Sequence, residues 1–407
     1  MNNVHTHIAE RSQLNRQLNI LLLSWEYPPN VVGGLSRHVY GLSAQLAEMG
    51  HHVHVITAGN GSLPAFETIK GVNVHRVIPL NQSDPHFLTW IAGLNLAMSF
   101  KVKTLSSKVK FDIVHAHDWL VGSAAITIKE LLSIPLLTTI HATEHGRNNG
   151  IHNQMQQFIH EKEMQIIHQS DQIIVCSEYM REEIMSLFHS DIKKVAVIPN
   201  GILQSEQTHN NEEIFPFIQN RKFIFSLGRI VKEKGFETII EAAALAKQMG
   251  KDIYFVVAGK GPMLEKYRKL VTDLNLDHYV TFIGYVNDEE RSALLDKSEL
   301  AVFPSLYEPF GIVALEALLR AKPTIVSNTG GLKGLVKHLQ SGLLMIPGDP
   351  KSLLENIELL LQNPEKAFEM GKKGQQIVKS LYGWKRIASQ TVQVIEDTLL
   401  LEKTKTN

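Results

Sequence analysis

Residues 18–57 read LNILLLSWEYPPNVVGGLSRHVYGLSAQLAEMGHHVHVIT, and this stretch decides the fold. The run LNILLLS (18–24) holds the unbroken apolar core ILLL (20–23), as suits a strand buried on both faces. A loop, WEYPPNVVGG, leads into a helical pattern from Leu35 to Met49. Gly50 stops that helix, and HVHVIT (52–57) is the next strand. Strand, loop, helix and strand in this order are the repeating unit of a parallel α/β sheet.

The same rhythm continues outward. VNVHRV, FDIVHA, PLLTTI, DQIIVC and VAVIP read as further strands, with helices between most of them. It breaks near Pro199-Asn200-Gly201, where the polar stretch QSEQTHNNEE reads as a linker. A second series follows: FIFSLG, IYFVVAG, YVTFIG, LAVFPS and PTIVSN. The chain therefore holds two α/β units of similar size, and its tail from Trp384 to Leu401 has a helical pattern. At 407 residues, two domains of ordinary size fit.

The totals narrow the function classes. Lys plus Arg and Asp plus Glu are 41 each, and residues 1–200 hold 15 basic against 16 acidic residues. Neither half is a polycation, which argues against broad electrostatic binding to nucleic acid and leaves only local patches. Cys176 is the only cysteine. No intramolecular disulfide can form, which fits a reducing, cytoplasmic setting, and its apolar neighbours mark it as a buried small hydrophobe. The N-terminal MNNVHTHIAERSQLNRQLN lacks the apolar core of a signal peptide. The longest apolar stretch, Phe87 to Phe100, is too short to span a bilayer. A buried helix is its first reading, and peripheral contact with a membrane surface the second.

In open α/β sheets, ligands bind beyond the carboxyl ends of the strands, so residues just after strands are the candidates. Gly33-Gly34 lies between the first strand and first helix. Two glycines there let backbone approach a ligand and offer free N–H groups to an anion; an ordinary tight turn reads the same way. The loop lacks G-x-G-x-x-G, which argues against a dinucleotide-dependent dehydrogenase. Arg229 and Lys234 follow strand FIFSLG and can neutralise a diphosphate, unless they are solvated surface charges, as Lys232 is expected to be. The most specific stretch is SLYEPFGIVALE (305–316). Pro309 and Gly311 place Glu308 in a loop, while Glu316 falls inside the following helix. N–H groups near Phe310, Gly311 and Ile312 then sit at a helix N-terminus suited to a phosphate. A glutamate within IVALEALL is costly to bury unless hydrogen-bonded. Finally, HAHDW (115–119) closes strand FDIVHA, and 16 of the 19 histidines lie in the N-terminal half, His141, His145 and His152 among them. His115 and His117 share a strand face, yet no HExxH and no cysteine ligands accompany them. A polar wall for a sugar pocket is expected there, and no metal. His51, His52 and His54 read as structural or solvent-facing.

These segments make the chain similar to the retaining glycosyltransferases of family four, which share the B-type fold with glycogen and starch synthases. The matching pieces are the 25–57 stretch from WEYPP onward, HAHDW, VIPNGI, LGRIVKEKG, VAGKGP and EPFGIVALEA, spanning about 20 to 390. The resemblance implies two Rossmann-like domains facing a central cleft. Residues 18–200, joined by the helix 384–401, would form the acceptor side, and 201–383 the donor side. It implies that backbone at Gly33 and Gly34 approaches the donor phosphates and that His117 lies near the donor sugar. Arg229 and Lys234 would hold the diphosphate, Glu308 the sugar hydroxyls, Glu316 the ribose, and the amides of Phe310, Gly311 and Ile312 the phosphates. Bacterial glycogen synthases usually carry a lysine in a KxGGL-like loop; here the loop reads VVGGL. The nearness of the remaining motifs to glucan synthases favours a glucosyl donor, UDP- or ADP-glucose, and an acceptor glycan of α-glucan type. A lipid or small-molecule acceptor, a phosphorylase or epimerase of the same fold, and a non-catalytic nucleotide-sugar sensor are the rival readings. The expected chemistry is retaining and needs no cofactor or metal.

Overall fold

The computed structural model describes residues 16–202, 218 and 221–406. The linker segment QSEQTHNNEE and most of the N-terminal stretch MNNVHTHIAERSQLNRQLN lie outside them. Two units result. One runs up to Gly201 and takes in the chain again from Trp384; the other is Ile202–Gly383.

The first unit carries eight strands: β1 (Asn19–Leu23), β2 (His52–Ala58), β3 (Phe66–Ile69), β4 (Val72–Val77), β5 (Ile113–His117), β6 (Leu136–Ile140), β7 (Gln172–Val175) and β8 (Val195–Val197). Their order is β3-β4-β2-β1-β5-β6-β7-β8. All pairings are parallel except β3 with β4. Strand β1 is buried along most of its length because helices cover both sheet faces, as its unbroken apolar run requires. The sequence does not announce β3: FETI is short, exposed at alternate residues and paired on one edge only.

The second unit has β9 (Ile224–Leu227), β10 (Phe255–Ala258), β11 (Val280–Gly284), β12 (Leu300–Phe303), β13 (Thr324–Ser327) and β14 (Leu343–Met345), in the order β11-β10-β9-β12-β13-β14. This is the doubly wound arrangement, with its switch point between β9 and β12. Three-residue β14 also escapes a sequence reading.

Each unit has its own core. In the second, Phe236, Ile239, Ile240 and Ala243 of the helix Phe236–Gln248 pack on β9 and β10. In the first, the helix Gly34–Glu48 lays Leu35, Val39, Leu42 and Leu46 over β1 and β2. The C-terminal helix Trp384–Thr406 joins that same core through Trp384, Ile387, Ala388 and Ile395. Its anchor is the Trp384 ring. A Cβ at Gly41 would lie 2.1 Å from that ring, and one at Gly201 2.5 Å from it. Gly41 thus sits mid-helix, where it costs about 1 kcal/mol against alanine, because the indole needs the room.

The apolar stretch Phe87–Phe100 belongs to the helix Phe87–Ser106. It buries Ile91, Leu94, Ala97, Met98 and Val102 but exposes Phe87, Leu96 and Phe100. It is therefore half-buried, where the sequence suggested a buried helix. Among the described residues no helix is long and apolar enough to cross a membrane. Cys176 is buried, as its apolar context implied.

Candidate active site

The switch point of the second unit gathers most of the motif residues. Strands β9 and β12 run side by side, with Ile224 opposite Leu300 and Phe225 opposite Ala301, so their carboxyl ends deliver two loops to one place. After β9, the short turn Lys232–Lys234 presents Lys234. After β12, the loop 304–311 presents Glu308. The two meet: Lys234 Nζ donates to Glu308 Oε2 at 2.5 Å. Ser305 Oγ donates to the same oxygen at 3.3 Å. The loops are also tied through backbone, since Leu306 N and Tyr307 N donate to the Glu233 carbonyl at 2.9 and 3.1 Å. Gly331 N donates to the Glu308 carbonyl at 2.8 Å, which fixes the loop from its other side.

Arg229 stands apart from this pair. Its guanidinium bonds Glu233 at 3.1 Å and its side chain is 48% exposed, so it is placed to meet an incoming anion at little desolvation cost. Gly311 adopts φ 107°, a conformation that L side chains rarely take, and opens the helix Ile312–Leu319. The first intrahelical bonds there are Ala314 N and Leu315 N to the Gly311 carbonyl. The N–H groups of Ile312 and Val313 precede them and have no intrahelical acceptor. Glu316 is half-buried and pairs with Arg291, whose Nε lies 3.1 Å from Glu316 Oε2. The ion pair offsets part of the cost of placing a carboxylate in an apolar run, although Oε2 gains no well-aligned hydrogen bond from it. Arg291 was invisible in the sequence, because its partner lies 25 residues away across two loops and a strand.

The first unit holds the other candidates. At Gly33 an added Cβ would meet nothing within 4 Å, so internal packing does not require glycine there. The amides of Val32 and Gly33, however, already donate to the Glu26 carboxylate, at 2.5 and 3.2 Å. An internal anion thus serves part of the loop that the sequence reading offered wholly to a phosphate. Burial raises the Glu26 pKa, partly offset by these amides.

His117 ends β5. Its Nδ1 lies 3.2 Å from His141 Nε2, at the end of the neighbouring strand β6. His115, two residues earlier, bonds Thr139 Oγ1 at 2.7 Å through Nε2. Next to His117, Asp118 takes φ 61° and accepts the His141 N–H at 2.7 Å. Burial lifts the Asp118 pKa to about 6, against the opposing pull of Arg147. Burial also pushes His115 and His141 down to about 3 and lowers His38 and His117 strongly. The histidines are therefore neutral at pH 7. Burial also raises Glu163 to about 8, while Arg147 and the Glu144 amide oppose the shift. The sequence paired His115 with His117, but the fold also brings in His38, from the second turn of the first helix. A four-residue offset from Gly34 was its only sequence signal. His145 and His152 do not join this group.

The family model described as "Glycosyltransferase Family 4" matches residues 32–203, and that described as "Glycosyl transferases group 1" matches 207–377. An uncharacterized glycosyltransferase of Methanocaldococcus jannaschii is 36% identical, over 93% of this chain and 97% of its own. A glycogen synthase of Mycobacterium tuberculosis is 33% identical, over 93% of this chain and 94% of its own. Among solved structures, the sucrose-phosphate synthase of Thermosynechococcus elongatus superposes with a TM-score of 0.82 at 25% identity, covering 95% of this chain and all of that one. Two parallel α/β units, the second with a cation and a carboxylate meeting at its switch point, together with these relatives define a glycosyltransferase. The chain belongs to glycosyltransferase family 4 and has its B-type fold of two Rossmann-like domains.

Proposed function

We propose that the protein is a retaining hexosyltransferase that moves glucose from UDP- or ADP-glucose to a glycan acceptor of α-glucan type. The observation that carries this reading is the Lys234–Glu308 pair at the switch point of the second unit. A cation held against a carboxylate, with exposed Arg229 on the same loop as the lysine, suits a ligand that is anionic at one end and hydroxylated at the other. Lys234 and Arg229 would bind the diphosphate, with help from the amides at Phe310, Gly311 and Ile312. Glu308 would accept hydroxyls of the donor sugar, and Glu316 those of the ribose. As the glycosidic bond breaks, negative charge grows on the leaving diphosphate, and preorganised cations stabilise it more than they stabilise the ground state. The leaving phosphate oxygen would take the acceptor proton on the same face, which retains configuration. In the first unit, His117 would line the sugar pocket as a neutral hydrogen-bonding group. The similarity to glycogen synthase over nearly the whole chain supports the glucosyl and glucan assignments.

Phe87, Leu96 and Phe100, exposed on one helix of the first unit, favour a lipid-linked acceptor as the second reading. The test is incubation with a panel of nucleotide sugars, with and without glucan, in the presence of a chelator. Glucan-dependent release of nucleotide diphosphate from UDP- or ADP-glucose is expected, with the anomeric configuration retained. Tight donor binding with no release for any acceptor would make the protein a sensor. Activity abolished by chelation and restored by a metal would remove the metal-independent mechanism.

A further inference from the structure

We propose that His38, His117 and His141 form a site for a zinc-like divalent cation, and that an ion bound there inhibits sugar transfer. The inhibitory half rests on the reading of His117 as a residue of the sugar pocket; the binding half does not.

The three side chains come from three elements of one unit: the helix Gly34–Glu48, the end of β5, and the residue after β6. One ligand atom from each lies within 4.8 Å of the others. Their ring centroids form a nearly regular triangle, with separations of 5.4 Å (His38–His117), 4.8 Å (His38–His141) and 5.5 Å (His117–His141). Three imidazoles on a tetrahedral zinc, with Zn–N of about 2.0–2.1 Å, have nitrogens about 3.4 Å apart and centroids about 5 Å apart. The contact between His117 Nδ1 and His141 Nε2, 3.2 Å, already matches one such edge. Closing the other edges needs a side-chain adjustment at His38.

The chemistry of the trio points the same way. A metal ligand must present a lone pair, which a neutral imidazole does, and one ligand atom from each of these three rings converges on one region of the unit. Both ring nitrogens of His38 and Nε2 of His117 are buried without a hydrogen-bond partner among the described residues. Asn200 lies beside His38 and pulls its pKa upward as a side-chain hydrogen-bonding neighbour, but the contact falls short of hydrogen-bond geometry, so both ring nitrogens and Asn200 Oδ1 stay without a well-formed bond. Buried orphan nitrogens cost free energy, and ligation through one nitrogen of His38 would satisfy one of them. Around the trio, Asp118 fixes the His141 backbone and supplies negative charge, which Arg147 partly cancels. A set of imidazoles with no carboxylate ligand selects zinc, cobalt, nickel or copper over magnesium, calcium or manganese. Once on the ion, the His117 lone pair is no longer available to a sugar hydroxyl.

The experiment is a cobalt(II) titration of the untagged full chain, followed by zinc displacement. Expected are intense visible bands of tetrahedral cobalt saturating at one ion per chain, bleached by zinc and unaffected by magnesium. His38→Ala and His141→Ala should each weaken binding at least about 10-fold. His54→Ala, which removes a histidine hydrogen-bonded to His75 outside the trio, should not. Absence of the bands, or full affinity in both trio variants, overturns the site. If a variant does not fold, X-ray absorption on the zinc-loaded wild type decides: three imidazole nitrogens are expected, and fewer overturn the site. Zinc should suppress transfer at the stoichiometry at which it binds. Undiminished transfer at saturating zinc overturns the inhibition. The spectra decide binding whether or not any sugar is transferred, so failure of the proposed activity is told apart from failure of the site.

Discussion

Lys234→Ala separates the two jobs of its side chain. The amine is 21% exposed and its partner Glu308 only 9%. Removing it leaves the carboxylate with the Ser305 hydroxyl as its remaining side-chain donor. Breaking a fully buried pair costs about 3–5 kcal/mol. Here the lysine side is partly hydrated, so a loss of about 1–3 kcal/mol is expected. For a unit of this size that lowers Tm by roughly 2–4 °C per kcal/mol. The fold survives, but not because Lys234 is a loose surface charge. Turnover suffers separately: losing a preorganised charge at the leaving group costs on the order of 3 kcal/mol, about 100-fold in rate. Donor affinity should fall less, since Arg229 and the loop amides keep their contacts. The decisive comparison adds Glu308→Gln to Lys234→Ala. A neutral amide needs no counter-ion, so part of the lost Tm should return while turnover stays low. The assay is thermal unfolding alongside turnover at saturating donor. Near-wild-type turnover in a folded Lys234→Ala, or turnover restored together with Tm in the double variant, would refute the reasoning.

Glu316→Ala should weaken donor binding by about 1.5–3 kcal/mol, the worth of a hydrogen bond to a charged group; unchanged affinity by calorimetry would remove Glu316 from the donor site. Gly41→Ala places a methyl 2.1 Å from the Trp384 ring, and overpacking of about 1–3 kcal/mol should exceed the roughly 1 kcal/mol gained in helix propensity; a Tm equal to or above wild type would show that the ring moves freely. Buried His38, His115 and His117 and half-buried His141 have folded pKa values below their unfolded ones. The unfolded chain therefore binds more protons below about pH 6.5, and each group costs about 1.4 kcal/mol per pH unit as the pH falls further. Glu163 and Asp118, raised to about 8 and about 6, act oppositely, because their folded forms hold protons that the unfolded chain has released. With His51, His54, His75 and His160 also lowered, the histidines outnumber the raised carboxyls Asp118, Glu163, Glu26 and Glu241, so the denaturant midpoint should fall as the pH drops from 6.5 to 4.5. A flat midpoint over that range would refute it.

The strand β1, the helix after it and the alternation of β5 to β8 and β9 to β13 were legible because their patterns are local. An apolar run long enough to cross a sheet, a helical period and a glycine stop need no partner to be recognised. The stretch EPFGIVALEA could be read for the same reason: its glycine, its helix start and its carboxylates lie within ten residues. Strands β3 and β14 are too short to carry a period, and an edge strand gains its identity from its neighbour. The partners of the site residues were hidden for a different reason. Lys234 meets Glu308 across 74 positions, Glu316 meets Arg291, and Glu26 takes the amides beside Gly33. His38 joins His117 and His141 only because β1, β5 and β6 lie side by side and the first helix folds back over them. Sequence alone determined that two parallel α/β units exist and that charged residues follow their strands, since both depend on spacing along the chain. Which charge neutralises which, and which histidines end up neutral and close together, only the tertiary structure decided, because pairing and desolvation depend on distances that strand order sets.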